Sequence, residues 1–206
     1  MDELRLIIFC KAPIPGEVKT RLIAGVGAGS AANIHARLAT ETIGDCLAVA
    51  EALPRVKLEL WCSPDTEHVF FQAFTGKMSL HQQQGKDLGE RMAHALCAGE
   101  SPAMLIGTDC PPVNRNYLLN AADQLRFHPF VIAPAEDGGY GLIGMQSPAG
   151  DVFRDIQWST EHVLQETLQR CLDKSIKVLQ LPEIWDVDEP ADLDRWLAGV
   201  EPEKSP

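Results

Sequence analysis

Short apolar runs of strand length alternate with segments of helical period along almost the whole chain, and this alternation restricts the fold more than any other feature. Runs at 4–10 (LRLIIFC), 56–62 (VKLELWC), 78–82, 103–107, 130–134, 140–145 and 176–181 predict strands. Several are apolar almost without a break, as expected for strands covered on both faces. Between them, 30–53, 66–75, 89–98, 115–126, 160–173 and 190–198 predict helices. Ser30 is placed as the N-cap of the first, with Ile34, Leu38 and Leu47 on a helical rhythm and Pro54 closing it. Pro190 starts the last, with acids in its first turn. The expected fold is a single α/β domain over residues 1–198, a three-layer sandwich whose mainly parallel sheet carries helices on both faces. Residues 199–206 (GVEPEKSP) read as a flexible tail.

Composition excludes several classes. A chain of 206 residues, 45% hydrophobic and 23% charged, fits one globular domain with a real core. A formal charge of -11 argues against a general nucleic-acid binder, which recruits phosphate with a basic surface. It leaves room for a small anion in a local positive pocket. Residues 1–29 are net +1, with Arg5, Lys11, Lys19 and Arg21 against Asp2, Glu3 and Glu17. No run approaches the ~18 apolar residues of a membrane span, and no signal-peptide pattern is visible, so a cytoplasmic location is expected. The six cysteines are scattered without CxxC, and the six histidines without HxxxH or HExxH. A disulfide frame, a zinc site and a histidine metal cluster are therefore not expected.

In open parallel sheets ligands bind beyond the carboxyl ends of the strands, so the chemistry should lie in the loops that follow them. The first such loop is KAPIPGEVKTRL, 11–22. Pro13 and Pro15 stiffen it, Gly16 allows close backbone approach, and Lys11, Lys19 and Arg21 provide cations for a nucleotide diphosphate or triphosphate. The same residues also read as a solvated surface turn. GVGAGS, 25–30, fits neither a dinucleotide fingerprint nor a P-loop and is expected to be a flexible loop before a helix. In MLIGTDCPPV an apolar strand ends at Asp109, with two prolines fixing the exit. A carboxylate held there suits Mg²⁺ or Mn²⁺, which take hard oxygen ligands alongside substrate phosphates, although an Asx-turn explains it equally. APAEDGGYGLIGM brings Asp137, Gly138 and Gly139 to the next strand end, where Asp-Gly is also a hairpin signal. QGKDLGERM (84–92), WST (158–160) and WDVDEP (185–190) complete the set, the last bringing Asp186 and Asp188 to a final strand end. Trp158, Trp185 and Trp196 read as packing residues before sugar platforms.

Taken in order, FCKAPIPGEVKTRL, QGKDLGERM, IGTDCPP, PAEDGGYGLIGM, WST and WDVDEPADLDRW resemble a bacterial family of glycosyltransferase-A-like proteins of the DUF2064 type, in the nucleotide-diphospho-sugar transferase superfamily. Arsenosugar-type glycosyltransferases and, more distantly, guanylyltransferases acting on phosphorylated small acids share that resemblance. It runs from residue 4 to about 197. It implies a GT-A-like fold in which Lys19 and Arg21, with Lys11, Pro15 and Gly16, hold a nucleotide donor. The Gly85–Arg91 loop, with Asp87, would lie near base or ribose. Asp109 would bind the cation, Asp137 would act at the metal and as catalytic base, and Gly138 and Gly139 would lie against the ligand. The Asp-x-Asp of many such enzymes is here Asp109-Cys110-Pro111, so a second metal carboxylate must come from Asp137 or Asp188. The function implied is metal-dependent transfer, in the first place glycosyl transfer from a nucleotide sugar to a small-molecule acceptor. The alternatives are nucleotidylyl transfer with pyrophosphate release, and a nucleotide-binding module without catalysis.

Overall fold

The computed structural model describes residues 3–99 and 102–199; the expected tail beyond Gly199 lies outside them. Seven strands occupy the seven expected places: β1 Leu4–Lys11, β2 Val56–Ser63, β3 Ser79–Gln82, β4 Ala103–Ile106, β5 Phe130–Pro134, β6 Tyr140–Met145 and β7 Val178–Gln180. They form one sheet in the order β3-β2-β1-β4-β6-β5-β7. Every pairing is parallel except those of β6, which runs antiparallel to both β4 and β5. The Asp-Gly signal is the reason: a hairpin at 136–139 reverses the chain, so β6 enters the sheet from the carboxyl edge.

This topology decides what shares a rim. Ile8 pairs with Ile106, so the loops leaving β1 and β4 emerge side by side. Ile106 also pairs with Leu142, so the β5–β6 hairpin and the start of β6 lie on the same edge. Beyond β7, Ile184 bridges Ala135 in parallel and carries residues 185–189 to that edge too. Residues 185–190, expected at a strand end, follow this isolated bridge and not one of the seven strands. That segment is held by single bonds, among them Val187 N–H to the Asp109 carbonyl at 2.9 Å.

Two helices cover one face and two the other. α2 (Ala28–Ala52) buries His35, Leu38, Ala39, Thr42, Ile43, Cys46 and Val49, a spacing of three and four that puts them on one stripe. With α5 (Arg115–Gln124) it packs on Leu6, Ile8, Leu60, Met104 and Val131. α4 (Leu88–Leu96) and α6 (Val163–Asp173) cover the opposite face, where Ile7, Phe9, Leu105 and Ile143 stand. Each of these large side chains, fully removed from water, contributes about 1.5–3 kcal/mol. α7 (Pro190–Gly199) closes a third cluster around Leu22, Leu38, Val187 and Trp196.

Three local expectations differ. GVGAGS is no flexible loop: α1 (Ile23–Val26) is a single turn, and Gly27, at φ 81°, breaks it from α2. Ser30 therefore lies inside the first turn, and the N-cap position is Gly27, which offers no side chain. The helix expected over 66–75 shrinks to one turn, α3 (Val69–Gln72), capped by His68. Beneath the α4 face one charged pair is buried. Arg5 donates twice to Glu59 at 2.8 Å, and to the Ala95 and Leu96 carbonyls at the end of α4. Those carbonyls lie in the last turn of α4, where the helix's own N–H donors run out, so the pair ties α4 to the sheet. No helix among the described residues is long and apolar enough to cross a membrane.

Candidate functional site

A cleft of about 650 Å³ opens on the carboxyl rim, walled by the loop after β1, the turn after β4, the β5–β6 hairpin, residues 158–163 and the 185–189 segment. Its centre is an ion pair between residues 90 apart in sequence: Lys19 Nζ donates to Asp109 Oδ2 at 3.1 Å. Lys19 sits in the left-handed region at φ 47° and is almost wholly enclosed, with 5% of its side chain exposed. Asp109 keeps 40% of its side chain open to the cleft. Burial alone would raise the Asp109 carboxyl; the Lys19 ammonium, with smaller help from His35 and Cys110, outweighs it and holds the group below the usual range. Lys19 answers in kind: burial opposes its charge, but Asp109, Asp188 and Asp186 together leave it raised.

A second layer surrounds this pair. Arg21 donates to Asp188 at 2.8 Å, and Asp188 also stands 3.9 Å from Lys19. Arg21 is two-thirds exposed, so it is free to exchange Asp188 for another anion. His35, from the buried stripe of α2, gives its Nε2 proton to the Lys11 carbonyl at 2.9 Å and so fixes the end of β1. Burial lowers its pKa, and Lys19 and Lys11 lower it further. Asp186 lies within electrostatic reach of Asp109 and Asp137; burial, then those two carboxylates, push its pKa up to about 6. A rim that raises an acid this way is short of positive charge. Asp137 itself is exposed and receives the Gly139 N–H at 2.9 Å.

The structure brings Lys11, Lys19, Arg21, Asp109, Asp137 and Gly139 into one cleft. Pro15 and Gly16 stand outside its wall, at the exposed outer bend of their loop. Gly138 is also outside it: at φ 85° its missing side chain lets the Glu161 backbone press against the hairpin, and its carbonyl takes the Leu164 N–H at 2.9 Å. Gly85, Asp87 and Arg91 do not line the cleft either. Asp87 caps α4 by accepting the Glu90 N–H at 2.8 Å, while Glu90 reaches back to the Lys86 N–H at 2.8 Å. Arg91 bonds the Gly85 carbonyl at 3.2 Å. Their spacing is that of a helix start.

Sequence reasoning underweighted Asp186 and missed His35. WDVDEP carries two acids, and only the fold shows that Asp186 is the one pressed by Asp109 and Asp137. Nothing in the stripe of α2 marks its one histidine as the residue beneath the rim. The tryptophans divide. Trp196 is buried with Arg37 over its ring at 4.5 Å, and Trp185 carries Arg195 at 4.2 Å, so both pack. Trp158 stands in the cleft wall against Gly89, which has no room for a side chain.

Among the described residues no three His, Cys, Asp or Glu side chains are arranged to hold a metal ion unaided. Asp109 and Asp186 both line the cleft, and carboxylates are the kind of hard oxygen ligand that Mg²⁺ or Mn²⁺ takes when one or two share it with substrate phosphates. Such a pair would hold a cation only together with the anion it accompanies.

The profile of a family described as "Uncharacterized protein conserved in bacteria (DUF2064)" matches residues 46–160, more than half of the chain. The structure is similar to that of a protein of Desulfovibrio desulfuricans G20 provisionally assigned as a nucleotide-diphospho-sugar transferase. The two share 32% identity over 99% of this chain and 90% of that one, with a TM-score of 0.83. Two more distant structures show the same fold. One is 4-diphosphocytidyl-2C-methyl-D-erythritol synthase of Anaerococcus prevotii DSM 20548, with 11% identity, TM-score 0.63 and coverage of 97% and 98%. The other is CMP:2-keto-3-deoxy-manno-octonic acid synthetase bound to CTP, with 12% identity, TM-score 0.58 and coverage of 96% and 98%. No curated protein matches the chain significantly. Sequence and fold agree, and the chain belongs to the bacterial DUF2064 family, with the architecture of the nucleotide-diphospho-sugar transferases.

Proposed function

We propose that this protein transfers a glycosyl group from a nucleotide-activated sugar to a small-molecule acceptor, with a divalent cation held at the rim. The observation that carries the reading is the enclosed Lys19 against Asp109 at the junction of β1 and β4, with Arg21 exchangeable beside it. Lys19 and Arg21 would bind the diphosphate, and Asp109 with Asp186 would hold the cation. Bound there, the cation would supply charge to the departing diphosphate. In the transfer, the acceptor hydroxyl oxygen forms a bond to the anomeric carbon. The bond from that carbon to the phosphate oxygen breaks, and its electron pair leaves with the nucleoside diphosphate. Asp137 would take the hydroxyl proton; its Oδ1 is occupied by the Gly139 N–H, which aims the carboxylate. Preorganised cations at the leaving group are the main means by which such a site lowers the barrier.

A second reading, nucleotidylyl transfer, is favoured by Pro111 where a second acid of Asp-x-Asp would stand, and by the cytidylyl enzymes among the distant folds. Asp186, whose carboxyl feels the charge of Asp109, would supply a second carboxylate and so weakens that objection to glycosyl transfer. Product analysis separates the two. Purified protein is incubated with Mn²⁺ or Mg²⁺ and panels of nucleotides and nucleotide sugars. Nucleoside diphosphate release from nucleotide sugars supports glycosyl transfer. Stabilisation by triphosphates alone, with pyrophosphate as product, replaces it with the second reading. Nucleotide binding that survives Asp137→Ala, without product from either panel, leaves a binding module.

A further inference from the structure

Strand order sorts the charges of the cleft. β1 and the β5–β6 hairpin flank β4 on opposite sides, so the loop after β1 makes one wall and the hairpin the other. Among the described residues, the lysines and arginines that line the cleft, Lys11, Lys19 and Arg21, all stand in the loop after β1. The charged groups of the hairpin wall are carboxylates: Asp137, and Glu161 on the turn fastened to the hairpin. That turn is held at two points, by the Glu161 main chain against Gly138 and by the Leu164 N–H on the Gly138 carbonyl. The nearby cations face elsewhere. Arg195 donates to Glu136 in three bonds of 2.9–3.1 Å and lines a separate cavity beside Pro111 and Pro112. His162 lies beside Glu161 but outside the cleft wall. Backbone strain marks the same two walls. Of the four described non-glycine residues at positive φ, two line the cleft, Lys19 at 47° on one wall and Ser159 at 65° on the other. Such conformations collect at sites that bind. The Ser159 hydroxyl bonds no other described group.

Resting on the transferase reading above, we propose that the hairpin wall binds the acceptor through hydroxyl groups and excludes anions. The acceptor is then a sugar or other polyol that carries no phosphate or carboxylate. Ionised carboxylates only accept hydrogen bonds; a hydroxyl donates to them and still accepts from Ser159. A phosphate brought to this wall meets Asp137 and Glu161 with no cation to answer it, and like charges across a contact weaken binding by about tenfold or more. Asp137 and Glu161 stay charged even with a cation at Asp109 and Asp186. The donor's diphosphate takes the opposite wall, where the three cations stand. Hydroxyls gathered beside Asp137 include the one that it deprotonates. An acceptor of this class excludes the second reading above, in which a phosphate of the acceptor attacks.

The test is ligand-observed NMR on the full protein with Mg²⁺ and whichever of ADP, CDP, GDP or UDP it binds, so that the cationic wall is filled. Glucose and glycerol are titrated against glucose 6-phosphate, gluconate and glycerol 3-phosphate. The expected result is saturable binding of a neutral probe, at least about tenfold tighter than its anionic counterparts. Ser159→Gly suits a left-handed backbone and removes the hydroxyl. It should weaken the neutral probe about 2- to 10-fold without lowering Tm. Glu161→Gln should narrow the gap between glucose and glucose 6-phosphate. Four results overturn the proposal: no saturable binding of either neutral probe, anionic probes bound as tightly, unchanged affinities in both variants, or glucose displaced by the nucleotide sugar and not by the nucleoside diphosphate. The last gives the wall to the donor's sugar. If none of the four nucleotides binds, the transferase reading fails separately. Glucose binding to the free protein, and its loss in Ser159→Gly, still decide whether the wall holds hydroxyls.

Discussion

Removing Lys19 tests the centre of the site. Lys19→Met keeps the stem of the side chain and deletes the charge that faces Asp109 at 3.1 Å and Asp188 at 3.9 Å. Leaving one member of a fully buried pair unpaired costs about 3–5 kcal/mol. Lys19 is enclosed, but the Asp109 side chain is 40% exposed and water can replace part of what it loses. The discounted cost is about 1–2 kcal/mol. For a chain of this size each kcal/mol moves Tm by about 2–4 °C, so Tm should fall by roughly 2–8 °C at pH 7.5. The sign with pH follows from Asp109. Its folded pKa lies below the ordinary 3.8, so the pair's contribution is present above that value and is lost as pH falls through the folded one. The deficit of Lys19→Met should therefore shrink in strongly acidic buffer. Asp109→Asn in the same background removes the orphaned charge, and the double variant should recover most of the loss. Binding should not recover. A charged hydrogen bond to phosphate is worth about 1.5–3 kcal/mol, so affinity for a nucleoside diphosphate should drop roughly 10- to 100-fold in both Lys19 variants. Differential scanning fluorimetry and isothermal titration with Mn²⁺ present read the two effects. Unchanged affinity in Lys19→Met, or a double variant no more stable than the single, would refute the assignment.

Other perturbations probe the rest of the architecture. Asp186 ionises in the folded state only near pH 6, so its charge opposes folding once the pH rises above that point. Without divalent cations, Asp186→Asn should raise Tm by a few degrees at pH 8, with the gain shrinking towards pH 5; a loss at pH 8 contradicts the crowding of carboxylates. Arg5→Met leaves Glu59 buried without its two donated bonds and frees the end of α4. It should cost about 3–5 kcal/mol, read as a drop in the urea midpoint. Burial pushes the Glu59 carboxyl up, but Arg5, with Trp61 and His81, outweighs it and holds the group down, so this deficit should narrow as pH falls below about 4.5, its ordinary value. Gly138→Ala meets both a left-handed backbone and the Glu161 main chain. A penalty of about 1–3 kcal/mol should appear as faster amide exchange at Leu164, whose N–H bonds the Gly138 carbonyl.

Strand positions were legible from sequence because runs such as LRLIIFC, covered on both faces, are apolar at every position but Arg5. Helix α2 was legible because its buried positions recur every three to four residues over 25 residues. Short elements were not. The segment expected to form a ten-residue helix keeps one turn, because short-range pattern alone cannot say where packing stops. Asp109 could be singled out because a strand and two prolines bracket it. Asp87 carried the same kind of signal and is a helix cap, since a carboxylate before a helix looks alike whether it binds a ligand or an N–H.

The chain itself therefore determined the layers, the strands and the identity of the loops that leave their carboxyl ends, because hydrophobic period and turn chemistry are local properties. It also set the supply of charge, with cations concentrated in the first loop and acids in the later ones. Tertiary structure alone decided which of those charges meet. Parallel pairing of β1 with β4 put Lys19 against Asp109, and the reversed β6 and the bridge at Ile184 delivered Asp137 and Asp186 to the same edge. Electrostatic energy depends on distance in space, and residues 90 positions apart acquire that distance only when the sheet is assembled.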